Sequence, residues 1–411
     1  MAYEVEEAKK LVIEAGHRLL NEGLIVRTWG NISARISDEQ FVITPSGKNY
    51  EGLTPDDIVV VNIKNCAYEG DIKPSSECGI HADVYAMRPE VNFVIHTHQT
   101  YASVVSIMGL DVDLTDEEKA FLGDRIPCAD YGMSSSDKLR RKVKKALKNS
   151  KDCRSMLLMN HGVLCMGTDT ENAFEISSVM EQVCKYKYES MTNSFTKTEL
   201  IKTNSTDEPD QEETEEALEE DIKNGYVDYG ISHIDGDEIT LILGDNEYKF
   251  KMGDKKPIGR GFLKRSLNRI AAVHAKIYEN RDISNIWHVT LPNIIDISKT
   301  GEGFKPYIDD QAQIVGVSVR CVGRPGKKPH FESASAIVRG LKDNNAVLIA
   351  DQGAICVGRT ESDTEATAFV LEKGCMAAKL AMCVNAKPVS GRIASKEREL
   401  YKESYSKLDS N

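Results

Sequence analysis

His96-Thr97-His98, His161 and Glu77 are the residues of this chain whose types and spacing invite chemistry. His96 and His98 close a run of apolar and β-branched residues at 91–95, which reads as a buried strand. Side chains alternate across a strand, so both imidazoles must point to one face. Two imidazoles side by side are costly to bury without a partner, and a divalent metal is the commonest one. His161, stopping a second strand, offers a third nitrogen, and Glu77 stands near a helix start. Three imidazoles suit zinc and leave one position for a carboxylate, water or substrate, the open arrangement that catalysis needs.

The elements that must position these residues are short and alternate in type. Residues 3–21 carry Val5, Ala8, Leu11, Val12, Ala15 and Leu19 at helical spacing and end at Asn21-Glu22-Gly23, a suitable helix stop. Strands are expected near 32–36, 41–44 and 58–63. Ser75 or Ser76 then caps a helix bearing Ile80, Val84 and Met87, with Glu77 in its first turn. After the histidine strand, 109–123 reads as an acidic loop, 126–132 as extended and 136–148 as a basic helix. Strands at 155–159 and 163–166 flank Asn160-His161-Gly162, and a helix runs from Thr168 to about Ser190. Helices alternating with short, hairpin-compatible strands imply an α/β/α sandwich with a mainly antiparallel central sheet.

Composition narrows the classes. At 411 residues the chain exceeds what one core usually supports, so two domains are expected. A net charge of −12 argues against nucleic acid as a partner. No apolar run reaches the roughly eighteen residues of a membrane span. Residues 1–10 lack the pattern of a signal peptide, and the 10 cysteines are scattered without a CxxC pair, which favours reduced thiols in a cytoplasm. Between Lys202 and Lys223 lie ten acidic residues and no basic one, a solvated linker.

The second half repeats the first. Residues 155–184 align without gaps to 346–375, placing Gly162, Cys165, Gly167, Glu181 and Cys184 on Gly353, Cys356, Gly358, Glu372 and Cys375. Residues 80–85 likewise match 273–278, His81 falling on His274. A repeat this long is a duplicated domain. In the second copy His96 becomes His288, but His98 becomes Thr290, His161 becomes Gln352, and Arg269 and Ile270 lie near the position of Glu77. His288 and His274 are therefore expected to be hydrogen-bonded core residues. The expected organisation is a catalytic domain over 1–194, an acidic linker over 195–222, a degenerate copy without metal ligands over 223–390, and a charged C-terminal tail over 391–411.

Thr28-Trp29-Gly30-Asn31, Thr44-Pro45-Ser46-Gly47, Ser75-Ser76-Glu77, His96-Thr97-His98 and Asn160-His161-Gly162 together resemble the class II aldolase/adducin family, with its fuculose-phosphate aldolase-like enzymes, in order and spacing. The likeness covers 1–190 well and 225–385 weakly. It implies a sheet flanked by helices and a tetramer with active sites between adjacent subunits. His96, His98 and His161, together with Glu77, would form the site for Zn2+, or another divalent transition metal, and Glu77 would also be the acid/base. Gly30, Asn31, Ser46, Gly47, Ser75 and Ser76 would hold a substrate phosphate; free N–H groups at turns and a helix start suit an anion. Tyr131 would be a proton donor reaching into a neighbour's site, although Gly132-Met133-Ser134 departs from the family's pattern.

The implied reaction is zinc-assisted cleavage of a ketose 1-phosphate between C3 and C4, giving an aldehyde and, once Glu77 returns a proton, dihydroxyacetone phosphate. Glu77 resembles the aldolases more than the pentulose-phosphate 4-epimerases, which carry Asp there. The alternatives are an epimerase, dehydratase or decarboxylase of the same family, or a non-catalytic adducin-like scaffold. Residues 305–311 occupy roughly the place of 126–131, so Tyr307, Asp309 or Asp310 could complete a zinc site, two chains then making a pseudo-tetramer.

Overall fold

The computed structural model describes residues 2–25, 30–199, 227–255, 257–260, 262–326 and 331–405. Thr28-Trp29 and most of the acidic stretch lie outside them. The chain forms two compact units: Met1–Ser194 with Tyr307–Asp309 and Leu380–Asn411, and Phe195–Pro306 with Asp310–Lys379.

The first unit opens on helix α1 (Val5–Asn21), whose buried stripe is Ala8, Val12, Ala15 and Leu19, with Glu6 and Glu7 in the first turn where the helix dipole favours acids. Strands β1 (Gly30–Arg35), β2 (Gln40–Ile43) and β3 (Val59–Asn62) form a meander. Helix α2 (Cys78–Met87) leads into β4 (Phe93–Thr97) and the short helix α3 (Thr100–Ser106). Glu77 is the cap of α2 and not, as expected, within its first turn. The stretch read as an acidic loop instead holds β5 (Val112–Asp113) and helix α4 (Asp116–Leu122). Acidic composition concealed a capping box there: Thr115 accepts from the Glu118 N–H while Glu118 accepts from the Thr115 N–H.

Strands β6 (Arg125–Ile126) and β7 (Cys128–Ala129), helix α5 (Asp137–Asn149), the hairpin of β8 (Ser155–Leu158) and β9 (Gly162–Gly167), and helix α6 (Thr170–Glu199) follow. The sheet runs β3-β2-β1-β4-β9-β8-β7, antiparallel except for β7 against β8. Its core packs Phe41, Ile43, Val61, Val94, Met156, Leu158 and Leu164 beneath Ile80, Val84 and Tyr85 of α2 and Leu139, Val143 and Leu147 of α5.

The second unit builds the same sheet from β10 (Ile231–Asp235), β11 (Glu238–Leu243), β12 (Asn246–Lys251), β13 (Asn285–Val289), β14 (Cys321–Val322), β15 (Ala346–Ile349) and β16 (Gly353–Gly358). Its order, β12-β11-β10-β13-β16-β15-β14, is that of the first, again with one parallel pair. Register agrees too: His96 faces Leu164, and His288 faces Ile355. The fold is thus α/β, two copies of one mainly antiparallel sandwich.

The proposed boundaries shift. Residues 380 onward join the first unit, and 391–400, expected as part of a charged tail, form a helix (Gly391–Leu400) with Glu397 fully buried. Helix α6 reaches Glu199, into the stretch expected to be linker.

Candidate active site

β1 and β4 run antiparallel with Gly30 opposite Thr97 and Asn31 opposite His96. Gly30 has φ +133, and a Cβ there would meet the His96 carbonyl at 2.6 Å, so only glycine fits beside the histidine strand. His161 sits in the turn between β8 and β9, after Asn160 in the left-handed region at φ +62, which asparagine tolerates. A Cβ on Gly162 would press on the Thr97 carbonyl at 2.5 Å and on both His98 and His96 rings. The glycines of these motifs therefore clear space for the histidine rings.

The three rings converge. Centroids of His96 and His161 stack 5.2 Å apart, and His98 meets each edge-on at 5.2 and 4.7 Å. One ring nitrogen from each of the three lies within 4.8 Å of the others. His96 Nδ1 donates to the Val163 carbonyl at 2.7 Å, and His161 Nδ1 donates to Asp309 Oδ2 at 3.2 Å. Both rings consequently turn Nε2 inward. Those Nε2 atoms are buried and make no hydrogen bond among the described residues. Glu77, 8% exposed, brings Oε2 to 3.2 Å from His96 Nε2 and Oε1 to 3.4 Å from His161 Nε2. Buried imidazole nitrogens converging on one point beside a carboxylate make a donor set that suits a divalent transition metal, zinc above all. The residues fit the ion.

Electrostatics hold the carboxylate ionised. Burial opposes its charge, yet His161 and His96 beside it, with the Ser135 N–H donating at 3.1 Å, keep Glu77 well below the usual carboxylate range. Burial pulls His96 down, whereas for His161 the facing carboxylates of Glu77 and Asp309 outweigh burial and raise it. Asp309 is raised to about 7 by its complete burial.

The segments carrying the other expected residues are tied together by hydrogen bonds. Thr44 joins β1 through the bond from its N–H to the Ile32 carbonyl, and Ser75 N–H donates to the Thr44 carbonyl at 3.0 Å. Ser46 N–H bonds the Lys73 carbonyl, so the Ser46 and Ser75 N–H groups, expected to be free for an anion, are spent in pairing their two loops, which leaves their hydroxyls; Gly47 has φ +73, and Ser76 Oγ meets Ser135 Oγ at 2.7 Å. Asn31 Oδ1 accepts from His81 Nε2 at 2.5 Å; His81 in turn bonds Ser33, which bonds Tyr85. Tyr131 donates its hydroxyl to Asp309 Oδ1 at 2.9 Å inside its own unit.

Sequence reasoning named Asp309 only among three possibilities, and it missed Ser135, Glu397 and the role of His81. Asp309 N–H bonds the Asn160 carbonyl, and Asn160 Nδ2 bonds the Tyr307 carbonyl, which threads 307–309 behind His161. Glu397 accepts from both the N–H and the hydroxyl of Ser134, at 3.0 and 2.6 Å, beside the Ser135 that holds Glu77. No local pattern announces such long-range partners.

In the second unit, His288 spends both nitrogens, on the Gln352 carbonyl at 2.7 Å and on Asp228 at 2.9 Å. Ile270, near the place of Glu77, is fully buried and apolar. His96, His98 and His161 form the metal-competent cluster found among the described residues.

With a duplicated sandwich and one histidine cluster in hand, the chain belongs to the family described as Class II Aldolase and Adducin N-terminal domain, matched over residues 10–188 and 248–378. A 5-deoxy-D-ribulose 1-phosphate aldolase of Bacillus thuringiensis serovar kurstaki is 29% identical over 186 residues, 45% of this chain and 86% of that protein. An L-fuculose 1-phosphate aldolase structure is 30% identical, with a TM-score of 0.42, covering 46% of this chain and 87% of its own. The L-fuculose-1-phosphate aldolase of Thermus thermophilus is 24% identical, with a TM-score of 0.39, covering 46% and 96%. No helix among the described residues is long and apolar enough to cross a membrane.

Proposed function

We propose that the chain is a metal-dependent aldehyde-lyase that cleaves a ketose 1-phosphate into dihydroxyacetone phosphate and an aldehyde, with zinc the preferred ion. The observation that carries this reading is Glu77, ionised and poised between the inward nitrogens of His96 and His161. The Bacillus thuringiensis relative, named for a ketose 1-phosphate, supports it.

His96, His98 and His161 would hold the ion, which when bound supplies Lewis acidity towards a ketose's carbonyl oxygen. Gly30, Asn31, Ser46, Gly47, Ser75 and Ser76 would seat the phosphate at the start of α2. In the cleavage the C4 hydroxyl loses a proton and C3 gains one. Glu77 can do both: as carboxylate it accepts the first proton, and as acid it returns it to C3. Tyr131 and Asp309 lie behind His161 and keep its ring turned inward.

Assay of dihydroxyacetone phosphate release from a panel of ketose 1-phosphates tests this. One member should be cleaved, and Glu77→Gln should lower kcat by about 10²–10⁴-fold with metal retained. Interconversion of epimers without cleavage would overturn it, as would a protein that takes up no divalent ion. A homo-oligomer, dimer or tetramer, in the cytoplasm completes the proposal. All ten cysteines are free thiols, in keeping with a reducing compartment.

A further inference from the structure

Asn31 has two unlike ends: its amide presents an acceptor, Oδ1, and a donor, Nδ2. An anion takes only the donor, so the way the amide is turned decides whether Asn31 attracts or repels one. The residue is buried at the start of β1, opposite His96. Its donor matters the more because the Ser46 and Ser75 N–H groups are committed to the Lys73 and Thr44 carbonyls.

His81, fully buried on α2, meets Asn31 Oδ1 through Nε2 at 2.5 Å and Ser33 Oγ through Nδ1 at 2.6 Å; Ser33 Oγ meets the Tyr85 hydroxyl. In the second unit Ser232, His274 and Tyr278 repeat this frame, but His274 Nε2 ends on the Tyr229 carbonyl at 2.7 Å. A carbonyl only accepts, so His274 carries a proton on Nε2. The same proton order on the first frame runs from Tyr85 to Ser33, from Ser33 to His81 Nδ1, and from His81 Nε2–H to Asn31 Oδ1. Two residues before Ser232 stands Gly230, where Ser33 has Asn31. The unit without the histidine cluster thus keeps the frame and lacks the amide.

We propose that His81 is a positioning residue for phosphate binding: by holding Oδ1 it turns Asn31 Nδ2 to the phosphate group of the substrate. This rests on the phosphate seat of the proposed function, not on which bond is cleaved.

Full-length, metal-loaded protein is titrated with inorganic phosphate in a calorimeter, variants being matched for metal content and circular dichroism. His81→Asn, whose shorter amide reaches the place of Nδ1 but not of Nε2, should weaken phosphate binding about tenfold or more. His81→Gln, which returns an N–H near the place of Nε2, should recover most of it. His274→Asn disturbs the equivalent frame and should bind phosphate as wild type does. On an Asn31→Ala background, His81→Asn should change the affinity no further. In wild type itself, 15N spectra of labelled histidine should show His81 as the Nε2–H tautomer. The readout is binding and tautomer alone, so it stands whether or not a ketose is cleaved. Wild type that binds no phosphate, a His81→Asn protein that binds it normally, an equal loss on the Asn31→Ala background, or an Nδ1–H tautomer would overturn the proposal.

Discussion

Asp309 touches no substrate position, yet it decides how His161 faces the centre. Its two carboxylate oxygens are spent on His161 Nδ1 and the Tyr131 hydroxyl, so the imidazole cannot rotate without breaking the pair. A carboxylate behind a ligating histidine fixes the tautomer and raises ligand basicity. Asp309→Asn is accordingly expected to weaken metal binding about 10–100-fold in competition with a chromophoric chelator, with the circular dichroism spectrum retained. At this scale the histidine cluster was legible in the sequence because strand alternation and a tight turn constrain His96, His98 and His161 locally. Asp309 was barely legible, since its partner lies in a turn 148 residues away.

Among elements, the two copies share devices that outlast the loss of chemistry. Ser33, His81 and Tyr85 tie β1 to α2 by bonds of 2.6 and 2.7 Å, and Ser232, His274 and Tyr278 repeat them at 2.6 and 2.8 Å. Burial keeps His81 neutral down to about 3 and His274 down to about 4, whereas an unfolded chain protonates both near 6.5. Between those limits the unfolded state binds more protons, so stability is full above about 6.5 and falls as pH drops below it. Urea midpoints should fall from pH 7 to pH 5, each histidine contributing on the order of 1–2 kcal/mol.

A second shared device caps a helix from afar. Glu181 accepts the Tyr101 and Ala102 N–H groups at 2.8 and 3.0 Å, and Glu372 does the same for Asn293 and Ile294 at 3.1 and 2.9 Å. Glu181→Ala leaves the start of α3 unsatisfied and should cost about 2 kcal/mol in chemical denaturation. The gapless alignment of 155–184 with 346–375 made the paired glutamates visible, but their purpose is not, because a surface glutamate and a distant cap look alike in one dimension. The same blindness hid α4 behind its acids and Glu397 within a charged stretch.

At the level of the molecule, one unit keeps the cluster and the other has closed it. His288 is satisfied on both nitrogens, and the Ile270 side chain offers no oxygen. Elemental analysis should therefore find one divalent ion per chain, unchanged in His288→Ala and lost in His161→Ala. The duplicated architecture was readable from residue spacing, since Gly162 and Gly353 mark the same hairpin. The true extent of the first unit was not, because membership depends on Tyr307–Asp309 and Leu380–Asn411 returning to it. A fragment of residues 1–194 lacks Asp309 and Glu397 and should bind metal less tightly than the whole chain.

Glu397, gripping Ser134 next to the N–H that steadies Glu77, also imposes an order in time. During synthesis, at ~5–20 residues per second, the helix carrying it emerges some tens of seconds after α2. Throughout that interval the nascent amino-terminal sheet must wait with its histidines undefended. The Ser135 N–H that steadies Glu77 gains its neighbour's anchor only when that late helix docks.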